Sequence, residues 1–213
     1  MSEIVNAESG WGAFNGQTGR QAIVEETLKK LQITTFVETG TYLGETTEWA
    51  AQTGLRVFTV EVDERRREML ERKMEPFERV VWRLGDSRQF LNDLISEAAC
   101  PLQRVLFYLD AHWFQDLPLR QEVDLIIANW RRSVIVIDDF RVPDDEGYGF
   151  DDYPGVGALT PSLLRPLPLT YFWPQMASSD ENGAKRGCAV IAWEEVMVRE
   201  LEKVDRLRRE EVS

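Results

Sequence analysis

The sequence predicts an α/β fold in which a parallel sheet is covered by helices on both faces. Short apolar, β-rich runs recur at Ile33–Glu38, Arg56–Glu61, Val80–Leu84, Val105–Asp110 and Val134–Asp138, and segments of helical periodicity separate them. The runs are apolar almost throughout rather than alternating, as strands buried on both faces require. Parallel neighbours need crossovers, and right-handed helical crossovers are how chains make them.

The elements follow in order. A helix over about Arg20–Leu31 precedes the first strand. Helical periodicity then marks Gly44–Gln52, Glu64–Met74, Ser87–Ala98 and Leu119–Trp130. After the fifth strand the rhythm changes: Arg141–Gly157 is rich in Asp, Gly, Pro and aromatics and is expected to be a long loop. Leu169–Trp173 and Cys188–Trp193 flank the turn-rich stretch Ser178–Gly187, as the arms of a long hairpin would. The tail Glu194–Val212 is expected to be a charged helix with Met197, Leu201 and Val204 on one side. No internal repeat or low-complexity linker interrupts the chain. One domain is therefore expected, with an N-terminal cap and helix over 1–31, a core over 32–193 and a C-terminal helix over 194–213.

Size and composition agree. The 213 residues are enough for one domain, which at this length buries about 70% of the surface its unfolded chain exposes. Hydrophobic residues make up 43% and charged ones 29%, an ordinary globular mixture. Lys and Arg number 25 against 37 Asp and Glu, a formal net charge of −12. That surface repels nucleic-acid backbones and anionic membranes, so neither is an expected partner. Small neutral or cationic ligands and a divalent metal remain compatible. Cys100 and Cys188 lie in no metal-ligand spacing; reduced thiols are expected, with a disulfide as the other possibility. The N-terminal residues show no basic segment followed by an apolar run, and no stretch approaches the roughly 18–20 apolar residues of a membrane span. A soluble, cytoplasmic protein is expected.

The chemistry lies at strand ends. The first strand runs into Glu38-Thr39-Gly40-Thr41-Tyr42-Leu43-Gly44 and then a helix. Open α/β sheets bind ligands outside the carboxyl ends of their strands, and glycines there admit a ligand close to the backbone. The spacing is Glu-x-Gly-x-x-x-Gly rather than that of pyrophosphate binders. An acidic residue facing the ligand would repel a diphosphate but suits an ammonium or sulfonium; a turn that needs Gly for its own geometry is the other explanation. Strand two ends at Glu61, about 20 positions after the glycine turn, where a ribose diol is usually held. Strand three ends Gly85-Asp86-Ser87, where Asp86 would accept from an adenine amino group or cap the following helix. Together, the three acidic ends describe a site for an adenosine ligand without phosphates.

On these residues the chain resembles the class I S-adenosylmethionine-dependent methyltransferases, over about Ile33–Trp193. The resemblance implies a Rossmann-like sheet of seven strands, mostly parallel, with the last strand antiparallel. It implies S-adenosyl-L-methionine as cofactor, with Gly40 and Gly44 lining the methionine moiety beside Glu38, Thr39 and Thr41. Glu61 would hold the ribose hydroxyls, and Asp86 with Ser87 would edge the adenine.

The reaction side is expected on strands four and five. Asp110 ends strand four, and Asp138-Asp139 end strand five. If the strands are neighbours, the three carboxylates converge beside the cofactor, where one must take up a proton or a cation must sit between them. Oxygen ligands suit Mg²⁺, with Ca²⁺ or Mn²⁺ as variants; alternatively, one carboxylate points inward and the others cap loops. His112, the only histidine, follows Asp110 by two residues, and its ordinary pKa suits a general base near neutral pH. This arrangement also resembles the metal-dependent sugar O-methyltransferases related to macrocin O-methyltransferase, which implies Mg²⁺ on Asp110, Asp138 and Asp139. Several members of that group have an aspartate base where this chain has His112.

The following loop, Asp144–Tyr153, would close over substrate as a lid or stand as a solvated acidic surface, and Asn15-Gly16-Gln17 would add to the cover. The C-terminal helix is expected to be solvated along one side or to contact a second copy in a homodimer. The leading expectation is O-methylation of a small hydroxylated acceptor, a sugar or glycosylated metabolite. A metal-dependent hydrolase and a non-catalytic nucleoside-binding module are the alternatives.

Overall fold

A computed structural model of the chain describes residues 12–112 and 116–209. The first part of the expected N-terminal cap and the end of the expected terminal helix lie outside the described residues.

The described residues begin with a short 3-10 turn at Ala13–Gly16, followed by α1 (Thr18–Lys30), β1 (Thr35–Thr39), α2 (Glu45–Gln52) and β2 (Arg56–Glu61). Next come α3 (Arg67–Met74), β3 (Val80–Leu84), α4 (Ser87–Ser96), β4 (Val105–Leu109), α5 (Leu119–Asn129) and β5 (Val134–Asp138). A two-stranded ribbon of β6 (Asp152–Tyr153) and β7 (Gly157–Ala158) precedes β8 (Thr170–Pro174), β9 (Cys188–Ala192), α6 (Glu195–Leu201) and β10 (Leu207–Arg209).

The main sheet has the order β10-β8-β9-β5-β4-β1-β2-β3. The strands β1 to β5 pair in parallel. β9 runs antiparallel between β5 and β8, so the expected hairpin is present and its second arm is the antiparallel strand. The expected sheet of seven strands gains an eighth. The tail is not one long helix: α6 stops at Leu201, and Leu207–Arg209 pairs antiparallel with β8.

Strand alternation explains the continuous apolar runs. Along β4, Val105, Phe107 and Leu109 face one core with Leu91 and Leu94 of α4 and Val123 and Ile126 of α5. Leu106 and Tyr108 face the other core, with Ile23 and Val24 of α1 and Leu201 of α6. Every residue of β4 is buried, because helices cover both sides. Strand order reverses at β1, whose neighbours are β4 and β2, so the carboxyl ends of β1 and β4 flank the crevice where such sheets take ligands.

Candidate functional site

Four strand ends meet around that crevice. Gly40 follows β1 with φ of +88°, and a Cβ there would lie 2.3 Å from the Asp110 carbonyl oxygen. The glycine thus lets the ends of β1 and β4 close on each other. Gly44, at φ +72°, starts α2, and a Cβ would lie 2.5 Å from Met74 Cε of α3. Its need for glycine is met by helix packing. A cavity of about 40 Å³ opens between these elements, lined by Asn15, Glu38, Gly40, Thr41, Asp110 and Asp138 among others.

Glu38 is buried, and its carboxyl accepts hydrogen bonds from the hydroxyls of Thr47 and Thr59, the latter at 2.7 Å. Burial pushes its pKa up to about 7, against the opposing effect of those hydroxyls. Thr41 shares a 2.6 Å bond with Thr59, and Thr39 is buried with its hydroxyl unpartnered among the described residues. Glu61 accepts from the backbone N–H groups of Tyr42 at 2.7 Å and Asp63 at 2.8 Å, one on each oxygen. A carboxylate oxygen has two acceptor sites, so Glu61 is oriented while still able to accept from a ligand hydroxyl. Asp86 caps α4, accepting from the N–H groups of Arg88 at 2.9 Å and Gln89 at 3.3 Å, and it also holds the Arg88 guanidinium. Those bonds hold Asp86 below its ordinary pKa, Arg88 foremost. Ser87 is buried at the first turn behind it.

The expected trio Asp110, Asp138 and Asp139 does not assemble as one ligand set. Asp138 is buried against Arg20 of α1, which pairs with its Oδ1. Its Oδ2 accepts from the Tyr108 hydroxyl at 2.6 Å and from Asn15 Nδ2 at 3.1 Å, and its Oδ1 also takes the Asp139 N–H at 2.7 Å. Strand parity sends the adjacent pair Asp138 and Asp139 apart: Asp138 shares its face with Val134 and Val136, the side that α1 covers, and Arg20 takes up its carboxylate there. Asp139 turns away in a left-handed conformation, φ +51°.

The group that does assemble is Asp110, His112 and Asp139, with one donor atom from each lying within 4.8 Å of the others. His112 Nε2 stands 3.7 Å from Asp110 Oδ1 and 3.8 Å from Asp139 Oδ2, and it has no hydrogen-bond partner among the described residues. Burial raises the Asp110 carboxyl well above its ordinary value, and the charges of Asp138 and Asp139 add to the effect. Burial also pushes Asp139 up, but His112 and Arg186 outweigh it and hold the carboxyl at about 2. Arg186 Nε donates to Asp139 Oδ1 at 2.6 Å, and its guanidinium also pairs with Asp151.

The loop after β5 lies against this corner. Asp151 accepts from Arg186 and from Tyr153, whose hydroxyl is also 3.3 Å from the His112 carbonyl oxygen. From the N-terminal side, Asn15 reaches Asp138, and the Gln17 side chain exchanges hydrogen bonds with the Arg186 backbone. Sequence reasoning missed both arginines, although signals for each exist. Arg20 falls on the buried stripe of α1 with Ile23, Val24, Thr27 and Leu28. The β5–β9 register pairs Asp138 with Cys188, which puts Arg186 beside Asp139 once the hairpin is laid antiparallel to β5.

Comparison with solved structures matches this architecture. A candidate O-methyltransferase from Klebsiella pneumoniae superposes with a TM-score of 0.56 at 19% identity, over 88% of this chain and 83% of the other. The O-methyltransferase from Bacillus cereus in complex with SAH gives 0.55 at 18% identity, over 81% and 80%. TomG from Streptomyces achromogenes, an O-methyltransferase of tomaymycin synthesis in complex with SAM, gives 0.55 at 16%, over 82% and 79%. The fold is that of a methyltransferase. No protein-family model matches the chain, and no curated protein matches it. In this methyltransferase fold the acidic end of β2 and the Asp110–His112–Asp139 corner stand on the two sides of the strand-order reversal. No helix among the described residues is long and apolar enough to cross a membrane, and both cysteines are free and buried.

Proposed function

We propose that the protein is an S-adenosyl-L-methionine-dependent O-methyltransferase acting on a hydroxyl of a small molecule, with a sugar or glycosylated metabolite as acceptor class. The observation that carries this is the division of the crevice. On the β2 side stands a carboxylate held by two amides with acceptor capacity to spare, and on the β4–β5 side two half-buried carboxylates around a buried imidazole. Fold likeness alone would not give a reaction.

Glu61 binds the ribose hydroxyls, Asp86 and Ser87 edge the adenine, and Thr39, Gly40, Thr41 and Gly44 form the turn beside the methionine end. Glu38 lies beside the methionine end, where a sulfonium would favour its ionised form. The acceptor hydroxyl sits against Asp110, His112 and Asp139, which orient it, and one group of this corner takes its proton. A divalent cation held by that corner would lower the pKa of a hydroxyl bound there. Alignment of the oxygen with the methyl group, together with exclusion of water by the 139–159 loop, accounts for most of what the protein contributes.

Calorimetry with S-adenosylhomocysteine is expected to show binding, and Glu61→Gln, which keeps the shape but removes the charge, to weaken it. The amide keeps one acceptor oxygen, so the loss is that of one hydrogen bond to a charged group, about 2 kcal/mol or roughly thirtyfold. A wild-type protein without affinity would end the proposal. Methyl transfer unaffected by excess chelator, or by Asp139→Ala, would remove the cation from the reaction while leaving the cofactor in place.

A further inference from the structure

We propose that His112 is a metal ligand rather than the general base, and that Asp110, His112 and Asp139 form a mixed nitrogen–oxygen site selecting a first-row transition cation over Mg²⁺. The proposal deepens the cation-assisted reaction above and rests on it only for the place of the site.

Three observations carry it. The His112 side chain is 2% exposed, yet Nε2 has no hydrogen-bond partner among the described residues. A polar atom buried without a partner is destabilising, so an unpartnered nitrogen aimed between two carboxylates is a position that a cation would relieve. Its distances of 3.7 and 3.8 Å to Asp110 and Asp139 are too long for hydrogen bonds. They do match the roughly 3–4 Å that separates donor atoms sharing one cation at about 2.1 Å.

Finally, the oxygen that would make an all-carboxylate set is committed elsewhere. Asp138 is held by the guanidinium of Arg20, the Tyr108 hydroxyl, Asn15 and the Asp139 amide. Arg186 occupies Oδ1 of Asp139 and leaves Oδ2 facing His112. Mg²⁺ favours an octahedron of oxygens, whereas imidazole suits Mn²⁺, Fe²⁺, Co²⁺ and Zn²⁺ better. A ring nitrogen on the cation cannot also receive the acceptor's proton, so proton removal passes to a carboxylate of the corner or to water.

The chain offers an unusually clean test, because His112 is its only histidine. In protein carrying no affinity tag, any imidazole nitrogen on bound Mn²⁺ belongs to His112. Pulsed electron paramagnetic resonance of the Mn²⁺-loaded protein is expected to show coupling to directly bound ¹⁴N. His112→Asp is expected to retain Mn²⁺ and lose that coupling. Calorimetry is expected to give Mn²⁺ at least about tenfold tighter binding than Mg²⁺ in the wild type, and that preference is expected to collapse in His112→Asp. Circular dichroism and S-adenosylhomocysteine binding check that the variant is folded. Mn²⁺ bound without ¹⁴N coupling, equal affinity for Mg²⁺, or no Mn²⁺ binding at millimolar concentration each overturns the proposal. Cofactor binding without ¹⁴N coupling defeats this inference alone, whereas coupling without cofactor affinity defeats the methyl-transfer function and leaves the metal site standing.

Discussion

Glu38 lies 2% exposed at the carboxyl end of β1, with threonine hydroxyls donating to its carboxyl. Burial moves its pKa from 4.5 to about 7, so the folded protein keeps a proton there that the unfolded chain gives up. The contribution to stability is therefore complete below pH 4.5 and is lost as pH rises through 7. A shift of this size corresponds to about 3 kcal/mol. Asp110 and Asp138 are raised as well, so a wild-type profile sums several groups. A difference isolates the one: Glu38→Gln should gain stability relative to wild type between pH 5 and pH 8, read by urea unfolding at each pH. Parallel profiles would show that the carboxyl is ionised throughout. This residue was legible in the sequence as an acidic strand end, but its environment was not, since Thr47 and Thr59 come from α2 and β2. Asp138 teaches the same lesson from the other side. Its sequence position beside Asp139 suggested a shared cation, while strand alternation sends the two side chains apart.

At the level of elements, β1 and β4 approach each other closely at their carboxyl ends. Gly40→Ala would set a Cβ 2.3 Å from the Asp110 carbonyl oxygen in a left-handed backbone, whereas Gly54, at φ +83°, has open space around it. Gly54→Ala is expected to cost about 1 kcal/mol, the conformational part alone. Gly40→Ala should cost more, about 2–4 kcal/mol, and should weaken S-adenosylhomocysteine binding as the strand ends part. Equal denaturant midpoints for the two variants would refute the close approach. Strand positions were the most legible feature: Arg56–Glu61 and Val134–Asp138 form as expected, because burial on both faces leaves a continuous apolar signature, and Val80–Leu84 also forms as expected although it is half-buried at the sheet edge. The tail was not legible, since Met197, Leu201 and Val204 have helical spacing. The open edge of β8 then draws Leu207–Arg209 into a ladder that only the assembled sheet offers. Arg20 and Arg186 escaped for a related reason. Each lies in a segment far from the strand ends it serves, and only the packing of α1 and the register of β9 brings it there.

For the whole molecule, the net charge of −12 divides into buried and surface parts. Asp138 and Asp139 face Arg20 and Arg186, so these arginines offset part of the charge at the corner, while much of the remaining charge meets water. Duplex DNA and structured RNA are accordingly expected to show no mobility shift at micromolar protein in about 0.1 M salt. A salt-sensitive shift would reveal a basic face that the net charge conceals. The ties of α1 bear on the order of events in synthesis as well. Arg20 pairs with a residue 118 positions later, Gly19 with Glu181 and Gln17 with Arg186. At typical elongation rates of about 5–20 residues per second, the helix emerges roughly 6–24 s before Asp138 exists to receive its arginine. The helix made first is thus among the last to dock. A ribosome that stalls before Arg186 leaves Asp138 and Asp139 without one of the two guanidiniums that quiet them.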